Sequence, residues 1–223
     1  MWLFIVALVA ASTNASDNAS FRAALQDPSG WKEVDRKHVG EAGEIVVRHK
    51  EVAGVPCLEG VASADVPPDI LLRAAADIPD QPRWSTWRVP ASVKLSPGND
   101  SFDYFQVLDN PSPIADRYWF LHANIKSNGG ERQLVWELVD PVAAYPAQHA
   151  SVLERFPGAI MTRVNVGDWT FTPTSAGTRV RYRICTDAGG TLPQWVGRMA
   201  ATSTLPTNLA DIVKEGKRVV AKR

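Results

Sequence analysis

Near its C-terminus the chain reads Asp187-Ala188-Gly189-Gly190-Thr191-Leu192-Pro193-Gln194-Trp195. A strand-like segment ends there and a glycine pair turns the backbone through angles closed to other residues. Thr191 fits an N-cap, and Gln194 three residues on completes a capping-box pattern. Beyond it Leu192, Trp195, Val196, Met199, Leu205, Leu209, Ile212, Val213, Val219 and Val220 recur at helical spacing. The spacing predicts a helix of about 28 residues, roughly 42 Å long at 1.5 Å per residue, with one apolar stripe. A stripe of that length needs an equally broad apolar surface, which the remaining residues must build.

They build it from strands. Val180, Tyr182 and Ile184 lie opposite Arg179, Arg181 and Arg183, and Leu134, Trp136 and Leu138 lie opposite Gln133 and Glu137. Trp119, Leu121, Ala123 and Ile125 share one face, with His122, Asn124 and Lys126 on the other. This alternation predicts an antiparallel sheet with one buried and one solvated face. Predicted strands cover Trp31–Val39, Ile45–Val52, Cys57–Ala64, Val89–Leu95, Phe102–Leu108, Arg117–Lys126, Arg132–Val139, Met161–Phe171 and Thr178–Thr186. Ser127-Asn128-Gly129-Gly130 is a hairpin signal. A short helix is expected near Ser20–Gln26, another over Asp69–Ala76 behind Pro67-Pro68, and an irregular segment with room for a helix over Pro141–Gly158. The fold class is α+β: a curved antiparallel sheet of about nine strands around a long C-terminal helix. Bulky residues on both partners leave an apolar cavity between them, and the eight tryptophans suit its walls.

The 223 residues suit one domain, expected over residues 21–223, with 16–20 as a linker. The first residues, Met1 to Ala11, are apolar over the length of a signal-peptide core, and Thr13-Asn14-Ala15 resembles a cleavage site, so residues 1–15 are read as a signal peptide. That predicts an exported protein, periplasmic or secreted, with an uncleaved N-terminal anchor as the alternative. The 24 basic residues balance 24 acidic ones, so no global field favours nucleic acid. Cys57 and Cys185 either pair or stay as two buried thiols.

At this point the chain resembles the START family of lipid-transfer domains, within the helix-grip superfamily, over about Ala24–Val220. Arg163 followed by Gly167-Asp168-Trp169-Thr170-Phe171-Thr172-Pro173 is similar to the family's strand leading to an aromatic and a proline. Thr178-Arg179-Val180-Arg181-Tyr182 resembles its last strand, and Asp187–Trp195 its entry into the C-terminal helix. Pro206, which alone argues for a helix break, has precedent in the family. Pro113-Ile114-Ala115-Asp116-Arg117 resembles the loop before the sixth strand, although the family has Arg-Asp where this chain has Asp-Arg. Ala123 stands where some sterol-binding members carry a cavity arginine.

The resemblance implies a nine-stranded sheet gripping the helix around a tunnel that holds one lipid, a sterol, phospholipid or fatty acid, without covalent chemistry or cofactor. It implies a monomer making transient contact with a membrane surface. The lipid-binding residues it points to are Trp119, Leu121, Ala123, Leu134, Trp136, Arg163, Tyr182, Trp195, Met199 and Leu205. The loop Asp109–Ala115 and the start of the last helix would form a lid, with Pro113, Asp116, Arg117, Gly189 and Gly190 as its lid and loop residues and the Gly189-Gly190 turn as its hinge. Arg163 is either a cavity charge or a paired strand residue. Asp116 and Arg117 form either a headgroup-contacting pair or a loop anchor.

No nucleophile elbow, zinc-protease motif, phosphate-binding loop or dinucleotide fingerprint occurs, and the four histidines have no metal-ligand spacing. The alternative function is a cyclase or hydrolase on the same scaffold, which would place a His, Asp or Glu inside the cavity.

Overall fold

The computed structural model describes residues 15–190, 192, 196 and 200–222. Helix α1 (Ala15–Gln26) precedes strands β1 (Lys32–His38), β2 (Glu44–Val52) and β3 (Val55–Ala64). Helices α2 (Pro68–Ala76) and α3 (Gln81–Trp84) lead to β4 (Ala91–Lys94), β5 (Ser101–Leu108), β6 (Arg117–Asn128) and β7 (Glu131–Leu138). Helices α4 (Pro141–Ala144) and α5 (Pro146–Arg155) come next, then β8 (Ile160–Met161), β9 (Val164–Thr174), β10 (Gly177–Asp187) and the last helix, α6 (Leu205–Ala221).

The strands form one sheet in the order β1-β2-β3-β10-β9-β7-β6-β5-β4. The ladders are antiparallel except that of two-residue β8, which lies parallel to β6 through Arg117↔Ile160 and Tyr118↔Met161. The expected nine strands are therefore ten, because the segment expected as Met161–Phe171 is split after Met161 and re-enters the sheet at Val164.

On the inner face α2 and α6 cover the alternating apolar set. Leu205, Leu209, Ile212 and Val213 of α6 are buried at helical spacing, as are Ile70, Leu71, Ala74 and Ala75 of α2. Gly60 on β3 lets α6 come this close: a Cβ there would sit 2.1 Å from Leu205 Cδ2 and 2.5 Å from Leu209 Cδ1. Gly189 and Gly190 both have φ of +67°, the left-handed conformation expected for the turn that leaves β10.

The outer face is less open than the alternation predicts. Helix α1 begins at Ala15, taking in residues expected as linker, and packs Phe21 and Leu25 with Cys57, Val166 and Cys185. Cys57 and Cys185 lie opposite each other on β3 and β10 and are joined in a disulfide, resolving the pair-or-thiols alternative. Arg183, expected in a solvated row with Arg179 and Arg181, is buried under α1 instead, in an ion pair with Asp168 at 2.9 Å. Its Nη1 donates to the Leu25 carbonyl, and Nη2 also donates to Gln26 Oε1 at the end of α1. Farther along, α4 and α5 fold the expected irregular segment over the sheet, burying Phe105, Val107, Tyr118 and Phe120 against Val152.

The C-terminal segment is not one regular helix. Val196 is helical, a π-helical turn spans Ala200–Thr204, and the α-helix proper begins at Leu205. Pro206 follows the π-helical turn directly and has no N–H to offer the Thr202 carbonyl one turn earlier, which accepts from Lys37 Nζ instead. The Thr191–Gln194 capping box lies outside the described residues.

Candidate functional site

A cavity of about 300 Å³ lies between the inner face of the sheet and the start of the last helix. Period-2 alternation places its walls: Tyr104, Gln106 and Leu108 from β5, Arg117, Trp119 and Leu121 from β6, Leu134 and Trp136 from β7, Trp169 from β9, and Tyr182 and Ile184 from β10. Leu192, Val196, Thr204 and Asn208 close it on the helix side, and Asn110 and Ile114 come from the Pro-rich loop. Trp84, Ser85, Trp87 and Val89 supply another part of the wall, and Thr162, just after β8, and Asn165 of β9 line it too.

Six of the sequence-predicted positions meet here: Trp119, Leu121, Leu134, Trp136, Tyr182 and Arg117. Ala123 shares their face but is fully buried in the core beyond the cavity, and Leu205 packs on Gly60. Arg163 is a paired strand-end residue, its exposed guanidinium bound to Asp187 at 3.0 Å outside the cavity. Trp195 and Met199 lie outside the described residues. Pro113 is exposed behind a cis peptide bond, while its neighbour Ile114 reaches the cavity.

Asp116 and Arg117 form no ion pair with each other, and each bonds main-chain groups separately. Asp116 Oδ1 accepts from the Asn110 N–H at 3.1 Å and holds the loop. Arg117 is only 5% exposed, and its guanidinium donates to main-chain carbonyls: Ala188 at 2.6 Å, Ala115 at 2.5 Å and Gly189 at 3.1 Å. Among the described residues no carboxylate lies within ion-pair distance of it. Burial lowers the Arg117 pKa, opposed by the Asp116 charge. Gly189 and Gly190 do not line the cavity, but their turn aims the two carbonyls that hold this arginine.

Sequence reasoning missed the segment carrying Trp84 and Trp87. The last helix clamps it in place. Asp211 accepts from the Thr86 N–H at 2.7 Å and hydroxyl at 2.8 Å, and Glu215 accepts from Arg83 at 2.7 Å and from Arg218. Burial raises the Asp211 carboxyl pKa, opposed by the two Thr86 bonds. The density of tryptophan in Trp84-Ser85-Thr86-Trp87 was the available signal. Tyr104, Gln106 and Trp169 follow from strand parity.

Trp119 Nε1 donates to Gln106 Oε1 at 3.2 Å, and Trp136 Nε1 to Asn165 Oδ1 at 2.9 Å. Trp84 Nε1, Trp87 Nε1 and Thr162 Oγ1, all on cavity-lining residues, are buried with no hydrogen-bond partner among the described residues. Burial pushes the phenols of Tyr104 and Tyr182 well above the usual tyrosine range, so both stay neutral donors. The described lining residues include no Asp, Glu, His or Cys. His122 lies on the outer face, where its Nε2 is 3.3 Å from Ser101 Oγ and its Nδ1 is 2.5 Å from Asp103 Oδ1. The sheet stands between that chain and the cavity.

No family model matches the sequence, and no curated protein matches it. Solved structures do match the fold. Human STARD10 superposes with a TM-score of 0.70 at 15% identity, covering 93% of this chain and 81% of that one. A STAR-related lipid transfer protein fragment from Xanthomonas axonopodis gives 0.69 at 20% identity, covering 84% of this chain and 99% of the fragment. The Zhui aromatase/cyclase from Streptomyces gives 0.51 at 14% identity, covering 74% of this chain and 96% of that one. At these identities the likeness is one of fold.

Proposed function

We propose that this START-like helix-grip domain is a non-enzymatic carrier that takes up one lipid and works outside the cytoplasm. The observation that carries the reading is the cavity beneath the last helix, walled mainly by apolar and aromatic side chains with a few convergent polar groups. Burying an alkyl chain there gains about 0.8 kcal/mol per CH₂, so capture needs no covalent step. A few polar groups then set the ligand's orientation. The lipid-transfer protein of Xanthomonas axonopodis is built on the same fold, which supports the reading.

The enzyme alternative has a structural counterpart in the Zhui aromatase/cyclase. General acid–base chemistry there would need a titratable group facing the ligand. The described lining residues offer two high-pKa phenols and a guanidinium, which favours binding over turnover. The Cys57–Cys185 disulfide supports export, because such bonds persist in oxidising compartments. The loop around Pro113 and the Gly189-Gly190 turn are the proposed lid, opening at a membrane surface to exchange ligand.

Titration with a fluorescent fatty acid tests the proposal. The expected result is saturable binding at one probe per chain, weakened at least tenfold by Leu134→Trp, which fills the cavity while keeping an apolar wall. Non-saturable binding, or equal binding by the filled variant, would refute it.

A further inference from the structure

We infer that the ligand is an amphiphile with an oxyanion head, received by Arg117 and Thr162, and a further hydrogen-bond acceptor met by Trp84 and Trp87. The inference rests on the lipid-carrier reading and adds the chemistry of the head.

Arg117 is the first ground. It projects from β6 on the same face as Trp119 and Leu121, so strand parity sends a cation into the cavity wall. A buried charge is ordinarily paired, because its desolvation is compensated only by an opposite charge and hydrogen bonds together. Arg117 has the hydrogen bonds, all to neutral carbonyls, but among the described residues no carboxylate within ion-pair distance, Asp116 acting only from farther off. The carbonyls hold the guanidinium in place, so it meets a ligand already oriented. A carboxylate or phosphate there would complete the pair with charge-assisted bonds.

The second ground is independent of charge. Native proteins rarely leave buried polar side-chain atoms unpartnered. Among the described residues four such atoms occur, and three of them belong to cavity-lining residues: Trp84 Nε1, Trp87 Nε1 and Thr162 Oγ1. An indole N–H can only donate, and the Thr162 hydroxyl has its proton free. The unmet demand is therefore for acceptors. Thr162, 4% exposed, lines the same wall two positions on from the Arg117↔Ile160 pair: its N–H bonds the Tyr118 carbonyl at 3.1 Å, one residue past the β8–β6 pairing. The two indoles lie on the separate segment clamped by α6, giving a second polar contact along the ligand. A sterol with one hydroxyl would meet one of these demands and leave the guanidinium uncompensated. The cavity, about 300 Å³, is at the small end of ligand pockets, which suits a single-chain body.

Displacement of the fluorescent probe by a matched series tests this: a saturated fatty acid, the alcohol and methyl ester of the same length, and inorganic phosphate. The acid should displace the probe at least tenfold more tightly than the alcohol or ester, and phosphate alone should not displace it. In Arg117→Gln the preference for the acid should fall to within twofold while the alcohol binds as before. Thr162→Val provides a second variant, since that hydroxyl has no partner among the described residues to lose. It should fold at least as stably as the parent and still bind the acid several-fold more weakly. Equal affinity for acid and alcohol in the parent, or an acid preference that survives both variants, overturns the oxyanion head, and displacement by phosphate alone overturns the amphiphile in favour of a free anion. Absence of binding by every member of the series overturns the carrier reading with it.

Discussion

Asp168→Ala should destabilise the protein by about 3–5 kcal/mol, the cost of leaving one member of a buried ion pair uncompensated. Asp168 and Arg183 are 3% and 4% exposed, and the pair sits between the sheet and α1. Removing the carboxylate leaves the guanidinium, among the described residues, with the Leu25 carbonyl and Gln26 Oε1, neutral groups at the end of α1. The same loss frees Thr170, whose hydroxyl bonds Asp168 Oδ1 at 2.9 Å. Replacing both partners with apolar residues of similar size, Asp168→Leu with Arg183→Met, should recover most of the stability, because no buried charge remains. Urea denaturation of the three proteins reads the difference. A loss below about 1 kcal/mol for Asp168→Ala would show that Arg183 is not held by this carboxylate.

Removing the disulfide should cost about 2–5 kcal/mol. Cys57 and Cys185 are 128 residues apart in sequence, and the bond closes a loop that spans most of the sheet. In the chain-entropy account such a loop strongly restricts the unfolded chain, and longer loops restrict it more. The two sulfurs also belong to the apolar cluster that seats Phe21 and Leu25 of α1. Cys57→Ala with Cys185→Ala should therefore lower the melting temperature by about as much as a reductant lowers that of the parent. A parent whose transition is unmoved by reductant would contradict the pairing.

These two sites were the least legible in the sequence, for one physical reason. Period-2 alternation says which residues share a face but not what will cover that face. Arg183 alternates with Tyr182 and Ile184 as a solvated residue would, and its burial depends on α1 arriving from more than 150 residues away. The cysteine pairing likewise depends on β3 lying beside β10, a register between strands far apart in the chain. Local signals did better. The Gly129-Gly130 hairpin, the positive φ of Gly189 and Gly190, and the inward set Trp119, Leu121, Leu134, Trp136 and Tyr182 all follow from neighbouring residues. Arg117 shows the intermediate case: its parity with Trp119 was readable, but its carbonyl cradle forms only once β10 turns beside β6. The segment around Trp84 and Trp87 has no period at all, and its place in the wall comes from Asp211 and Glu215 on α6.

What the helix stripe serves is thereby divided. Leu205, Leu209, Ile212 and Val213 seal the core, whereas Val196, Thr204 and Asn208 face the cavity. The account stands on that cavity holding a lipid. Native mass spectrometry of the folded, disulfide-bonded protein measures this directly, before and after incubation with sterols, phospholipids and fatty acids. The predicted result is a single added mass per chain, removed by organic extraction and restored by one lipid class. A chain that keeps its bare mass with every lipid offered would contradict it.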